Sequence, residues 1–147
     1  MSRKKVILSA CLLGEYCRYD GKTKKVDSVI EAFKDCEIIP FCPEAPIFGT
    51  PRQRINVVQV NGENRIITDE TNEDVTDKLS AEIYSFIKQF PHAEIIVLKS
   101  KSPSCGLGTT PILNEIKEVV AKGNGIAADI FLKQFSHAKI NDETMYI

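Results

Sequence analysis

Lys5–Val6–Ile7–Leu8–Ser9–Ala10 is a short apolar run of strand type that ends in Cys11, and two later segments repeat the arrangement. Glu37–Ile38–Ile39–Pro40–Phe41 ends in Cys42. Ala93–Glu94–Ile95–Ile96–Val97–Leu98 continues through Lys99–Ser100–Lys101–Ser102–Pro103–Ser104 into Cys105. Parallel strands of an open α/β sheet bring their carboxyl ends to one edge, and ligands bind in the crevice there. Neighbouring strands lie roughly 4.8 Å apart, so three adjacent strand ends span about 10 Å. Three thiolates hold a metal cluster on that scale. The spacing points to chemistry.

Between these runs the sequence alternates helix and strand signals. Val26 to Lys34 fits a short helix with Val26, Ile30 and Phe33 on one face. Ile55–Val60 and Arg65–Thr68 flank Asn61–Gly62, a strong hairpin signal, with Glu63 and Asn64 lengthening the loop. This hairpin reads as an insertion between parallel units. Val75, Leu79, Ile83, Phe86, Ile87 and Phe90 recur at three- and four-residue steps and predict a helix from about Asn72 to Phe90, closed by Pro91. Pro111–Ala121 predicts another, with Pro111 in its first turn and Ile112, Ile116, Val119 and Val120 as its apolar stripe. Gly123–Asn124–Gly125 breaks it, and Ile126–Phe135 predicts a last helix before a short strand at Ala138–Ile140. No internal repeat, low-complexity tract or linker interrupts the pattern. The expected fold is α/β: a single domain over residues 1–147, with a largely parallel sheet flanked by helices and a β-hairpin insertion.

Composition narrows the function classes. The chain has 147 residues, and its 19 Lys and Arg against 20 Asp and Glu leave no basic excess for nucleic acid. The apolar stretch after the charged N-terminus is about six residues, short of the roughly 7–15 of a signal peptide and far short of a membrane span. A cytoplasmic protein without a membrane partner is expected. In a reducing compartment cysteines are free, metal-bound or catalytic, and the odd count of five agrees. Cys36, at a helix-to-strand junction, reads as a small core residue.

Familiar site signatures are missing. Gly14 alone follows the first strand where a dinucleotide fingerprint wants three glycines, and no phosphate-loop lysine motif occurs. No two cysteines are separated by two residues, which removes ribbon, knuckle, redox and ferredoxin spacings. Any metal site must therefore be assembled by the fold from distant segments. Glu44 follows Cys42 by two residues, and Ser102, Ser104 and Gly106 surround Cys105, an acid–base and hydrogen-bonding shell around thiols. His92 and His137 fall at element junctions and take no role.

Ser9–Ala10–Cys11–Leu12–Leu13–Gly14, Cys17–Arg18–Tyr19–Asp20–Gly21, Cys42–Pro43–Glu44, Thr50–Pro51–Arg52 and Ser102–Pro103–Ser104–Cys105–Gly106 together resemble the thiouracil desulfurase family, in the family's order and over nearly the whole chain. The resemblance implies a 4Fe–4S cluster bound by Cys11, Cys42 and Cys105, with the fourth iron left for the sulfur of a thiolated nucleobase. Sulfur is then removed without net redox, as an extra sulfide on that iron. Elementary chemistry agrees. Thiolates are the usual ligands of such clusters, and an open iron is a Lewis acid that prefers a soft thiocarbonyl sulfur to an oxo oxygen. Water must attack the ring carbon. Glu44 is the base expected to activate it, and Ser102 is expected to orient substrate or pass a proton, with Ser100 second. Arg18, Asp20 and Arg52 are further substrate-binding candidates.

One segment departs from the pattern. Ala45–Pro46–Ile47–Phe48–Gly49–Thr50 is bulkier and more apolar than the glycine-rich stretch typical of such proteins, which bears on the substrate and leaves the cysteines untouched. Some relatives carry a second domain and act on thiolated transfer RNA. With no such domain and no basic patch, a small free thiolated pyrimidine is expected here. Two other classes compete. One is a structural or regulatory zinc protein using Cys11, Cys17, Cys42 and Cys105. The other is a thiol-based sulfur carrier with Cys105 as nucleophile.

Overall fold

The computed structural model describes residues 4–13, 26–44, 49 and 53–146. Two four-stranded sheets organise them. The first contains β1 (Lys5–Ser9), β2 (Glu37–Phe41), β5 (Ile95–Leu98) and β8 (Lys139–Asp142), in the order β2-β1-β5-β8. Every pairing in it is parallel, with Ile7 opposite Ile39 and Ile96, and Ile96 opposite Ile140. The runs that precede Cys11, Cys42 and Cys105 are thus three adjacent parallel strands.

Both faces of the two central strands are covered, which explains why β1 and β5 read as unbroken apolar runs. Successive side chains of β1 point to opposite faces. Val6 and Leu8 pack with Val29 and Phe33 of α1 (Asp27–Ala32) and its following turn, while Ile7 packs with Ile83 and Phe131 on the other side. Phe131 belongs to α3 (Ile126–Gln134), and its ring stands 4.9 Å from that of Phe41.

The second sheet has the order β4-β3-β6-β7. Its strands are β3 (Ile55–Val60), β4 (Glu63–Thr68), β6 (Thr110–Leu113) and β7 (Val119–Gly123). The hairpin lies in sequence between β2 and β5 of the parallel sheet, as expected, and in addition forms half of a second sheet, joined to the later chain by the parallel β3–β6 pairing. Its turn is shorter than the sequence implied. Glu63 already pairs with Val60, and Asn61 and Gly62 both have positive φ, at 52° and 81°. Two positive central angles are what the right-handed twist of the flanking strands favours.

The helix expected over Pro111–Ala121 is absent. β6 and β7 form an antiparallel hairpin there. The 3- and 4-residue spacing was misleading because its members share no buried face: Ile112 is buried, while Ile116, Val119 and Val120 are exposed at 75%, 61% and 51%. Asn114 supplies the competing local structure. Its Oδ1 accepts from the Ile116 and Glu118 amides, and Lys117 turns the chain at φ 65°. β-branched Ile112, Val119 and Val120 then suit strands.

The helix predicted from about Asn72 to Phe90 is present as α2 (Thr76–Gln89), starting four residues later, and belongs to both cores. Leu79 packs with Ile55, Val57, Ile66 and Ile112 of the second sheet, and Ile83 one turn later packs with Ile7 and Ile96 of the first. One amphipathic helix thereby fixes the sheets relative to each other. Among the described residues no helix is long and apolar enough to cross a membrane.

Candidate functional site

The gap between the carboxyl ends of the first sheet and the β3–β6 pair of the second is a cavity of about 630 Å³. That volume lies within the roughly 300–1,000 Å³ of small-molecule sites. Cys11 reaches it from the turn that directly follows β1, Cys42 from the first position after β2, and Cys105 from the loop after β5. Glu44, Ser100 and Ser102 line it as well, so six of the residues singled out from sequence meet in one place. Cys36 does not. It packs against the core around Val6 and Leu8. His92 and His137 are exposed and lie outside the lining. Cys17, Arg18, Asp20, Arg52 and most of the Ala45–Thr50 departure lie outside the described residues.

Residues 102–106 are held from several directions. Ser102 Oγ accepts from the Ser104 and Cys105 amides at 3.2 and 3.1 Å, and the Ser102 carbonyl accepts from the Gly106 amide at 2.8 Å and the Thr110 hydroxyl at 2.7 Å. The first turn of α3 closes over the loop, with the Ala127 amide donating to the Ser104 carbonyl at 2.7 Å. The approach demands glycine at position 125. A Cβ there would lie 2.5 Å from Ser104 C and 2.8 Å from Cys105 N, closer than real contacts allow. Gly125→Ala is therefore expected to push the Cys105 loop out of register. Thermal unfolding and iron binding both check this: a lower Tm with reduced iron uptake is the expected pair, whereas a variant identical to wild type in both would disprove the close contact.

Burial pushes the Cys105 thiol up to about 12, with the neighbouring Cys42 and Glu44 adding to the rise, while hydrogen bonds with Ser9 and Ser102 oppose it. Glu44 is buried, and the Ser104 hydroxyl donates to its Oε2 at 2.7 Å. Ser104 itself is fully buried. It thus ties the carboxylate beside Cys42 to the loop of Cys105.

A second buried carboxylate stands behind the cavity wall. Glu143, next after β8, accepts from the Ser100 amide at 2.7 Å and the Ser100 hydroxyl at 2.9 Å, and its Oε2 is 3.2 Å from Lys99 Nζ. Burial raises its pKa, but the Ser100 bonds and Lys99 outweigh that and hold it below the ordinary carboxylate value. A depressed carboxylate pKa stabilises the fold above the unfolded value, and the contribution is lost as pH falls. The stability gap between wild type and Glu143→Gln should be full at neutral pH and close on acidification below about 4.3. Urea midpoints across that range test it, and a gap independent of pH would contradict it. Sequence gave no sign of Glu143, which lies 43 residues from its partner. Arg54 and Asn56, also in the lining, carry no motif, and the inserted hairpin gave no sign that β3 would face the cysteines.

Among the described residues no three of His, Cys, Asp or Glu are grouped as ligands of a single metal ion. Tetrahedral zinc with bonds of about 2.3 Å would need its sulfurs roughly 3.8 Å apart. The ligands of a cluster stand wider, because the cluster's own atoms lie between them. Three sulfur donors around one cavity, with hydroxyls hydrogen-bonded to one of them, suit an iron–sulfur group.

A family model for 2-thiouracil desulfurase matches residues 6–143, which span Cys11, Cys42, Glu44, Cys105 and Glu143. The chain belongs to that family. Within reach of this family assignment stands a Bacillus subtilis (strain 168) relative, the uncharacterized protein YbbK, 30% identical over 113 residues, which is 70% of this chain and 74% of that one. The solved structure of TudS, a 4Fe–4S-dependent thiouracil desulfidase, is 30% identical with a TM-score of 0.71 and covers 97% of this chain and 93% of its own. Neither comparison supports the four-cysteine zinc reading.

Proposed function

We propose that this 2-thiouracil desulfurase family member, a single domain acting in the cytoplasm, hydrolyses the C–S bond of a thiolated pyrimidine of the thiouracil type. The products are the oxo base and hydrosulfide, with no net redox. The observation that carries the reading is the meeting of Cys11, Cys42, Cys105 and Glu44 around one cavity at the ends of three adjacent parallel strands. The 4Fe–4S dependence of TudS supports the choice of cofactor.

Cys11, Cys42 and Cys105 would hold the cluster. When bound, it would supply a Lewis-acidic iron with affinity for soft sulfur. The protein supplies the rest. Glu44, oriented through Ser104, takes a proton from the water that attacks the ring carbon. Ser102 keeps the Cys105 loop in shape and lines the cavity where substrate is oriented. Arg18, Asp20 and Arg52 complete the substrate contacts. The buried setting of Glu44 and Ser104 strengthens the bond between them. The test is anaerobic reconstitution followed by thiouracil, without added reductant. Loss of thiocarbonyl absorbance matched by hydrosulfide release is expected; a cluster-loaded protein inert toward every thiolated pyrimidine would refute the proposal.

A further inference from the structure

Ser100 lines the cavity and carries one hydroxyl proton, and the structure accounts for that proton. It is donated to Glu143 Oε2 at 2.9 Å. Ser100 Oγ in turn accepts from Lys99 Nζ at 3.3 Å. The Lys99 ammonium has three protons and three acceptors nearby: the Ser100 hydroxyl, the Ser100 carbonyl at 2.8 Å and Glu143 Oε2 at 3.2 Å. Glu143 also accepts from the Ser100 amide, and an ionised carboxylate has no proton to give back. A hydroxyl has two acceptor positions, and Lys99 uses one.

We infer that Ser100 presents a hydrogen-bond acceptor to the cavity, fixed in that polarity by Glu143 and Lys99, and so selects substrates bearing a ring N–H. The inference rests on the functional reading above and narrows its substrate class to cyclic thioamides, in which an N–H flanks the thiocarbonyl. Thiouracil has such N–H groups, and a base alkylated at the ring nitrogen facing Ser100 does not. Glu143 is on this account a positioning residue, acting through Ser100 and not touching substrate. Its place just beyond β8 is set by Asp142, whose carboxylate accepts from the Thr144 amide at 2.9 Å and from the Thr144 hydroxyl.

A site built to pair with a polar group discriminates strongly against an analogue that leaves its own buried group unpaired. With cluster-loaded wild-type protein, N-methylation of thiouracil at one of its two ring nitrogens should lower kcat/KM by about 10²- to 10⁴-fold. Methylation also adds bulk, so two variants separate polarity from fit. Ser100→Ala removes the acceptor and opens space, and should shrink the discrimination to within about tenfold, chiefly through KM for the unmethylated base. Glu143→Gln offers one oxygen for two Ser100 donors and adds an amide donor beside the hydroxyl, which frees the Ser100 proton for the cavity. It too should lose discrimination, and Glu143→Asp should recover part of it. The Kd of the product base, uracil against its N-methyl counterpart, gives the same comparison without turnover. Equal handling of both methyl isomers and the parent base by wild type, or discrimination undiminished in Ser100→Ala, overturns this inference and leaves the desulfuration reading standing. Inactivity toward every thiolated pyrimidine overturns that reading and this inference with it.

Discussion

Cys42→Ala protein, reconstituted anaerobically beside wild type, is expected to hold more than about tenfold less iron and to show no turnover, since a cluster left with two thiolates is poorly retained. Cys11→Ala and Cys105→Ala should behave alike, because each is the sole described thiol on its strand end and no other described cysteine lines the cavity. Cys36→Ala is the control. It packs against the α1 core and should cost some stability while leaving iron and visible absorbance intact. Cys17→Ala should also keep its iron. Iron and acid-labile sulfide per chain decide the matter. Loss of metal from Cys17→Ala with retention in Cys42→Ala would replace the proposed ligand set.

The second large effect belongs to Glu44. Glu44→Gln should retain the cluster and lose about 10²- to 10⁴-fold in kcat, because an amide cannot take a proton from water. The geometry makes this substitution informative. Ser104 donates to Glu44 Oε2, and a Gln carbonyl oxygen can accept the same bond, so the loop of Cys105 need not shift. A loss of turnover with unchanged iron content therefore reads as lost proton transfer. Full activity in the variant would remove Glu44 from the mechanism.

What sequence made legible followed the length scale of each signal. The runs before Cys11 and Cys105 were readable because β1 and β5 are buried on both faces, and a continuous apolar run is the direct record of that burial; β2, at the sheet's edge, buries Ile39 and Phe41 and exposes Pro40. The adjacency of the three strands in the sheet then brought Cys11, Cys42 and Cys105 to one cavity. α2 was readable because Leu79 and Ile83 sit on one stripe. The β6–β7 hairpin was not. Its exposed Ile116, Val119 and Val120 mimic a helical stripe, and the pairing of Ile112 with Val57, 55 residues away in sequence, joins the Asn114 turn in deciding for strand. The same blindness to distant partners hid Glu143. A lone glutamate late in the sequence has no motif, and its meaning comes from Ser100 and Lys99 at the end of the neighbouring strand. Glu44 was visible only because Cys42 stands two residues before it. Ser104 reads in sequence as one hydroxyl among several beside Cys105, and its bond to Glu44 is visible only in the fold.

The central claim is that one cluster sits on Cys11, Cys42 and Cys105 with an iron open beside Glu44. Anomalous diffraction at the iron edge, from crystals of the anaerobically reconstituted protein, tests it most directly. The account predicts one compact iron peak inside the cavity, continuous with the sulfurs of those three cysteines, and one iron without a protein sulfur on the side of Glu44. Iron bound elsewhere, or a fourth bond from Cys17 closing the last position, would contradict it.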